Sequence, residues 1–166
     1  MDRSVLMGIV LAFLALLLLL MFLGWRARRK RQAGIPKPPI APADLGTVHG
    51  TFDGQYVATT RAEDPLDRIV VAPLGFRAHA RVVVADAGVV VQIPGKADPF
   101  IPAASARDLR DATWTIDRVV ERDGMQVIGW NLGETVVDSY FRMDEPRAFS
   151  TAVRSMLESA PVKDPS

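Results

Sequence analysis

Two histidines, His49 and His79, and two groups of closely spaced aspartates are the residues of this 166-residue chain whose types suit proton transfer or metal ligation. The aspartates are Asp64 with Asp67, and Asp108 with Asp111 and Asp117. Neither histidine has a second ligand at the intervals that zinc sites use. The aspartates lack the alternating ligands and the turn glycine of a calcium loop, so they read as solvated charges on loops. No G-x-S-x-G elbow and no glycine-rich phosphate loop is present. Cysteine is absent, which removes disulfides, thiol nucleophiles and a lipidated-cysteine anchor. The sequence thus presents no catalytic, cofactor-binding or metal-binding residues. It reads as non-enzymatic, without a cofactor and without a small-molecule substrate.

The residues whose spacing does carry a chemical meaning are Trp25, Arg26, Arg28, Arg29, Lys30 and Arg31. A tryptophan followed at once by a dense basic cluster suits the boundary between a bilayer and water. The indole sits at the headgroup level. The cations lie against anionic lipid, each worth about 1 kcal/mol near the surface. That placement requires a membrane span just before it, and Val5 to Leu23 is 19 residues without a charged or strongly polar side chain. As a helix the run covers about 28 Å, close to the roughly 30 Å hydrocarbon thickness of a bilayer. A cleaved secretory signal would need a basic n-region, a shorter apolar stretch and a small-x-small cleavage site. Here Met1-Asp2-Arg3 carries no net side-chain charge, and basic residues stand where cleavage would occur. One basic residue precedes the span and five follow it closely. The positive-inside rule therefore places the N-terminus outside and everything after Trp25 in the cytoplasm, as a single-pass protein of the cell (inner) membrane.

After the basic flank comes "IPKPPIAP", residues 35 to 42, with four prolines. The expectation is an extended polyproline spacer holding a domain off the membrane. Residues 1–43 contain 7 Lys+Arg and 1 Asp, whereas residues 44–166 contain 13 Lys+Arg and 18 Asp+Glu, a net charge of −5. The C-terminal part is acidic, so it offers no basic face for nucleic acid. Arginine outnumbers lysine 16 to 4, the residue usage of a GC-rich genome. The organisation read from the sequence is a transmembrane anchor (1–25), a basic flank with proline-rich linker (26–43), a folded domain (44–160) and a tail (161–166).

The domain reads mostly as strands. Gln55–Thr60 is a candidate first strand, followed by the polar loop "RAEDP". Arg81–Ala85 and Val89–Ile93 are β-branched runs joined by Asp86-Ala87-Gly88, a hairpin signal. Phe100-Ile101 is at most a short strand. Thr113–Val120, Met125–Asn131 and Thr135–Arg142 follow, separated by Arg122-Asp123-Gly124 and Leu132-Gly133-Glu134. Trp114 and Trp130 are expected in the core. Tyr140 and Phe141 are adjacent in a strand, so one of them should point outward. Phe149, Val153, Met156, Leu157 and Ala160 form an apolar stripe on a helix that begins near Pro146, with Asp144 or Glu145 as its cap, and stops at Pro161.

The stretches "GQYVATTRAEDPLDRI", "VVVADAGVVVQ", "PFIPAA" and "VIGWNLGETVVDSYFR", followed by the closing helix, resemble a family of small bacterial membrane proteins. That family has one N-terminal span and a bacterial PH-like domain, is common in GC-rich Gram-positive bacteria and is often encoded beside pyrimidine and carbamoyl-phosphate synthesis genes. The resemblance implies a mainly β fold, a PH-like antiparallel barrel of about six or seven strands closed by a C-terminal amphipathic helix. It brings no catalytic motif. A PH-like fold would allow phosphoinositide binding through cations after the first strand. Residues 61–68, however, set two arginines against three carboxylates. The expected function is therefore a membrane-anchored cytoplasmic interaction module that binds an as yet unknown protein partner, with a barrel edge or the groove beside the closing helix as the contact. The alternative is an accessory subunit of a transporter or other membrane complex, acting through its span, where Gly8, Ala12 and Ala15 form a small-residue face.

Overall fold

The computed structural model describes residues 3–31, 34–112 and 124–159. The chain divides into two compact units, residues 1–34 and 35–166. The first is a single helix, α1 (Arg3–Arg31). It is apolar around its whole circumference from Val5 to Leu23, and its side chains over that stretch are exposed. A helix of this kind buries nothing against protein and suits a lipid solvent. Residues 3–27 are long and apolar enough to cross a membrane. The helix continues through the basic cluster, which therefore extends the same rod.

The second unit contains eight strands among the described residues: β1 (Val48–Arg61), β2 (Asp64–Arg68), β3 (Ala78–Ala85), β4 (Gly88–Gln92), β5 (Phe100–Pro102), β6 (Ala106–Ala112), β7 (Met125–Leu132) and β8 (Thr135–Met143). Helix α2 (Pro146–Ser159) follows. The strands form one antiparallel sheet in the order β5-β4-β3-β1-β8-β7-β6, with β2 paired to β1 off that path. β5 and β6 stand at opposite ends of this order. Yet only a 3-10 turn, Ala103–Ser105, joins them. Three residues span about 10 Å at most, so the sheet must curl until its two edges are neighbours. The result is barrel-like, without a hydrogen-bonded seam between β5 and β6. Curling needs a strand that serves both halves. β1 pairs with β3 from Val48 to Tyr56 and with β8 from Gly54 to Arg61, and the β8 register shifts between Tyr56 and Ala58. Such an irregularity bends a strand and strengthens its twist.

α2 plugs the curled sheet. Phe149, Val153 and Met156 are fully buried, and Leu157 packs at the margin. The Phe149 ring meets Phe52 edge-on at 5.6 Å between centroids and Phe141 at 5.8 Å. The expected helix and its stripe are thus present. The β3–β4, β7 and β8 strands also fall where the sequence places them.

Several expectations need correction. The first strand starts at Val48, not Gln55. The "RAEDP" loop runs into a strand, β2, and Asp108 and Asp111 stand on β6, which the loop reading of those residues missed. Both Tyr140 and Phe141 are buried, 9% and 0% exposed, although they point to opposite faces. The outer face of β8 is itself covered at this point, so no aromatic is offered to solvent there. Ile35 is 7% exposed and belongs to the hydrophobic core. The proline segment therefore begins packed on the domain, because an isoleucine gains more from a core than from water. Trp114, the strand expected at Thr113–Val120, Asp117, Arg122-Asp123, Ala160, Pro161 and the tail lie outside the described residues.

Candidate functional site

The interior of the domain contains a directed chain of hydrogen bonds. The Trp130 indole N–H donates to Ser139 Oγ at 2.9 Å. Ser139 Oγ and Thr59 Oγ1 are 2.7 Å apart, and Thr59 Oγ1 and the Tyr56 hydroxyl are also 2.7 Å apart. Tyr56 donates to the Leu74 carbonyl at 2.9 Å. An indole only donates and a carbonyl only accepts. The protons must therefore run one way, Trp130 to Ser139 to Thr59 to Tyr56 to Leu74. Burial pushes the Tyr56 phenol above its ordinary pKa, against the Thr59 hydrogen bond and the positive charge of Arg68. A phenol held protonated and saturated in this way is structural. It ties β1, β7 and β8 to the loop between β2 and β3.

A second polar cluster lies on the outer face of β6, β7 and β8. Arg110 Nε is 3.1 Å from Asp108, and its Nη2 is 2.5 Å from Asp138. The Asp138 side chain is 5% exposed, so its carboxylate needs a cation. Gly129 lies beneath this bridge. A Cβ there would stand 2.2 Å from Asp108 Oδ1, so the Asp108 side chain would have to shift to admit one. At the opposite end of the sheet, His49 Nε2 is 2.8 Å from Asp86 Oδ1. Asp86 Oδ2 accepts the Thr47 backbone N–H at 2.8 Å. Hydrogen bonds from Thr47, then the His49 contact, hold the Asp86 carboxyl below its usual range.

Two surface concavities stand out among the described residues. The larger, about 510 Å³, is lined by Asp53, His79, Arg81, Gln92, Asp98 and Asp144, among others. Its charges are mostly committed: Arg81 Nε pairs with Asp53 at 3.0 Å, and Asp98 accepts the Ile93 N–H at 3.2 Å. Among the described residues, no group of three His, Asp or Glu side chains could hold a metal ion. The smaller, about 290 Å³, is a groove between β6, β7 and the first turns of α2. Its lining includes Asp111, Gln126, Arg147, Ser150, Thr151 and Arg154. β6 is an end strand of the sheet, paired on one side to β7. An end strand presents backbone donors and acceptors. Here the concavity runs over the β6–β7 face, beside a helix face carrying two arginines and two hydroxyls.

This groove was legible only as a class of location, "the groove beside the closing helix". Its residues were not, because the strand that forms its wall, "ARDLRDA", is rich in charge and poor in β-formers. Charged end strands are a common device against unwanted pairing, and that composition hid the strand. Of the residues expected at the membrane interface, Trp25 and Arg26 are exposed on α1, and the Trp25 ring is 6.0 Å from that of Phe22. Arg28, Arg29, Lys30 and Arg31 complete the last turns of the same helix.

Residues 35–156 match the sequence model of bacterial PH domain-like proteins. The chain belongs to the bacterial PH domain-like family. The match begins at Ile35, the residue at which the compact second unit and its core also begin. No curated protein matches this family member in sequence. Its solved structural likenesses are distant. A chain of the 8S snRNP assembly intermediate aligns with a TM-score of 0.52 at 10% identity, covering 78% of this chain and 95% of that one. The C-terminal domain of an unknown protein from Leishmania infantum aligns at 0.46 and 11% identity, covering 68% and 84%. The C-terminal phosphotyrosine interaction domain of mouse APBB2 aligns at 0.49 and 14% identity, covering 79% and 100%. Identities this low speak to the fold alone.

Proposed function

We propose that this bacterial PH-like protein is a membrane-anchored, non-enzymatic interaction module. It holds a protein partner at the cytoplasmic face of the cell membrane. α1 is the single span, with the N-terminus outside. Trp25, Arg26, Arg28, Arg29, Lys30 and Arg31 sit at the cytoplasmic interface against anionic lipid. The single observation that carries the partner reading is the groove in which the end strand β6 lies beside α2. A segment of a partner adds to β6 by backbone hydrogen bonds, and its side chains reach Thr151 and Arg154 on the helix. The charge balance of the domain supports a protein over nucleic acid.

The test is crosslinking and recovery of partners from membranes, with the full chain and with the double substitution Thr151→Trp and Arg154→Glu, which fills and re-charges the groove. Loss of a partner from the variant, with the chain still folded and in the membrane, is the expected result. Equal recovery from both overturns the groove as the contact. Replacing residues 3–27 by an unrelated apolar helix separates the alternative of an accessory subunit acting through its span, since only that alternative loses the partner on exchange.

A further inference from the structure

Four polar residues of α2 line the smaller groove at intervals of three and four, Arg147, Ser150, Thr151 and Arg154. Those intervals put them on one stripe of the helix. Two arginines two turns apart thus bracket two hydroxyls along about 10 Å of helix. The facing wall is the register pair Asp111 of β6 and Gln126 of β7.

Two observations on this stripe point to a ligand. Ser150 lines the groove and is only 8% exposed, yet its hydroxyl makes no hydrogen bond with another described residue. A buried hydroxyl without a partner costs about 1–3 kcal/mol, so an acceptor placed in the groove recovers that loss. Arg154 is exposed on the same stripe and forms no ion pair with another described residue. Thr151, by contrast, is committed, its hydroxyl donating to the Arg147 carbonyl at 3.0 Å. Arg147 is engaged within the protein, but a guanidinium has five N–H donors and can serve a second acceptor.

The sign and size of the ligand follow. Two arginines and one aspartate line the groove, a net charge of +1. The first turn of α2 adds the partial positive charge of a helix N-terminus. The surrounding domain is acidic, so the groove is a local exception. A singly charged carboxylate matches it. A phosphoryl group carries about −1.5 to −2 and would face Asp111 with negative charge to spare. At about 290 Å³ the groove is at the lower limit of small-molecule sites. That volume suits a side chain of a polypeptide.

The geometry points to a carboxylate-binding groove: the partner presents an acidic segment, and one of its Asp or Glu side chains sits between Arg147 and Arg154 and accepts a hydrogen bond from Ser150. This rests on the reading of the groove as the partner contact and adds the chemistry of what it takes. Arg154 meets the carboxylate as a planar fork. Asp111 on the facing wall repels a second negative charge and accepts an N–H of the segment.

The probe is a displayed library of short random peptides. It is selected against the full chain in detergent micelles and against the same chain carrying Thr151→Trp, Arg154→Gln, Ser150→Ala or Lys96→Gln. Arg154 is exposed, so its substitution leaves the core alone. Lys96 is an exposed cation outside the groove and serves as the reference. The natural chain should enrich peptides containing Asp or Glu. Their affinity should fall about tenfold with Arg154→Gln, several-fold with Ser150→Ala, and not at all with Lys96→Gln. Ser150→Ala changes no charge, so its effect reports the seat rather than a general field. Peptides lost with Thr151→Trp but free of acidic residues overturn the carboxylate and leave the partner groove intact. Peptides indifferent to Thr151→Trp overturn the groove and the carboxylate together, as does a library from which nothing is enriched. Displacement of acidic peptides by inorganic phosphate, where equal acetate has no effect, reassigns the seat to a phosphoryl group and overturns the carboxylate.

Discussion

Trp130 and Ser139 stand on adjacent strands, and the indole N–H of the one donates to the hydroxyl of the other at 2.9 Å with both side chains buried. That contact starts the relay that ends on the Leu74 carbonyl. Ser139→Ala should leave both Trp130 Nε1 and Thr59 Oγ1 short of a partner. The expected loss is about 1–3 kcal/mol, the cost of stranding a buried polar group. Tyr56→Phe should cost a similar amount, and the double variant less than the sum, because the two lie in one network. Denaturant unfolding of the four proteins by circular dichroism measures this coupling. Strict additivity would argue against a connected relay.

The buried Asp138 carboxylate faces the Arg110 guanidinium. Arg110→Ala should destabilise the domain by about 1–3 kcal/mol, because it strands the buried Asp138 carboxylate while the arginine it removes is itself half exposed. Adding Asp138→Asn to that variant should recover a large part of the loss. Gly129→Ala should act on the same cluster by displacing the Asp108 carboxylate from Arg110, at a smaller cost than Arg110→Ala. Thermal melts of these variants decide the matter, and an unaltered Arg110→Ala protein would show that Asp138 is satisfied otherwise.

Ile35 belongs to the core although it opens the proline segment. A chain beginning at residue 35 should therefore be more stable than one beginning at residue 44. Ile35→Ala in the full chain should lose about 2–5 kcal/mol, the usual range for truncating a buried isoleucine. Comparable midpoints in urea for chains starting at 35 and at 44 would return the segment to the role of a simple spacer.

Asp86 has a lowered pKa in the folded state. Its contribution to stability is therefore fully present above the unfolded value, about 3.9, and is lost as pH falls through the lower folded value. The stability difference between the natural chain and Asp86→Asn should be constant near neutrality and shrink below about pH 4. Melts of both proteins from neutral to acid pH test the sign. A difference that grows on acidification would contradict it.

Local chemistry was sufficient for several features. Nineteen residues from Val5 to Leu23 without a polar side chain mark a helix long and apolar enough to cross a membrane. Met125–Asn131 and Thr135–Arg142 declare themselves by β-branched content and a glycine turn. The helical interval from Phe149 through Val153 to Met156 marks one buried stripe, because a 3.6-residue period is a local property. The absence of cysteine and of paired ligands is likewise written in the sequence. Tertiary structure decided the rest. "ARDLRDA" becomes strand β6 because β7 lies beside it, against its own low propensity. Tyr140 is buried on the outer face because that face is covered, which alternation along a strand does not reveal. Ile35 joins the core because the β7–β8 turn receives Pro36. The β6–α2 groove and the Arg110–Asp138 bridge each join residues 28 or more positions apart. Their juxtaposition exists only once β6, β7 and β8 have paired and α2 has packed against them.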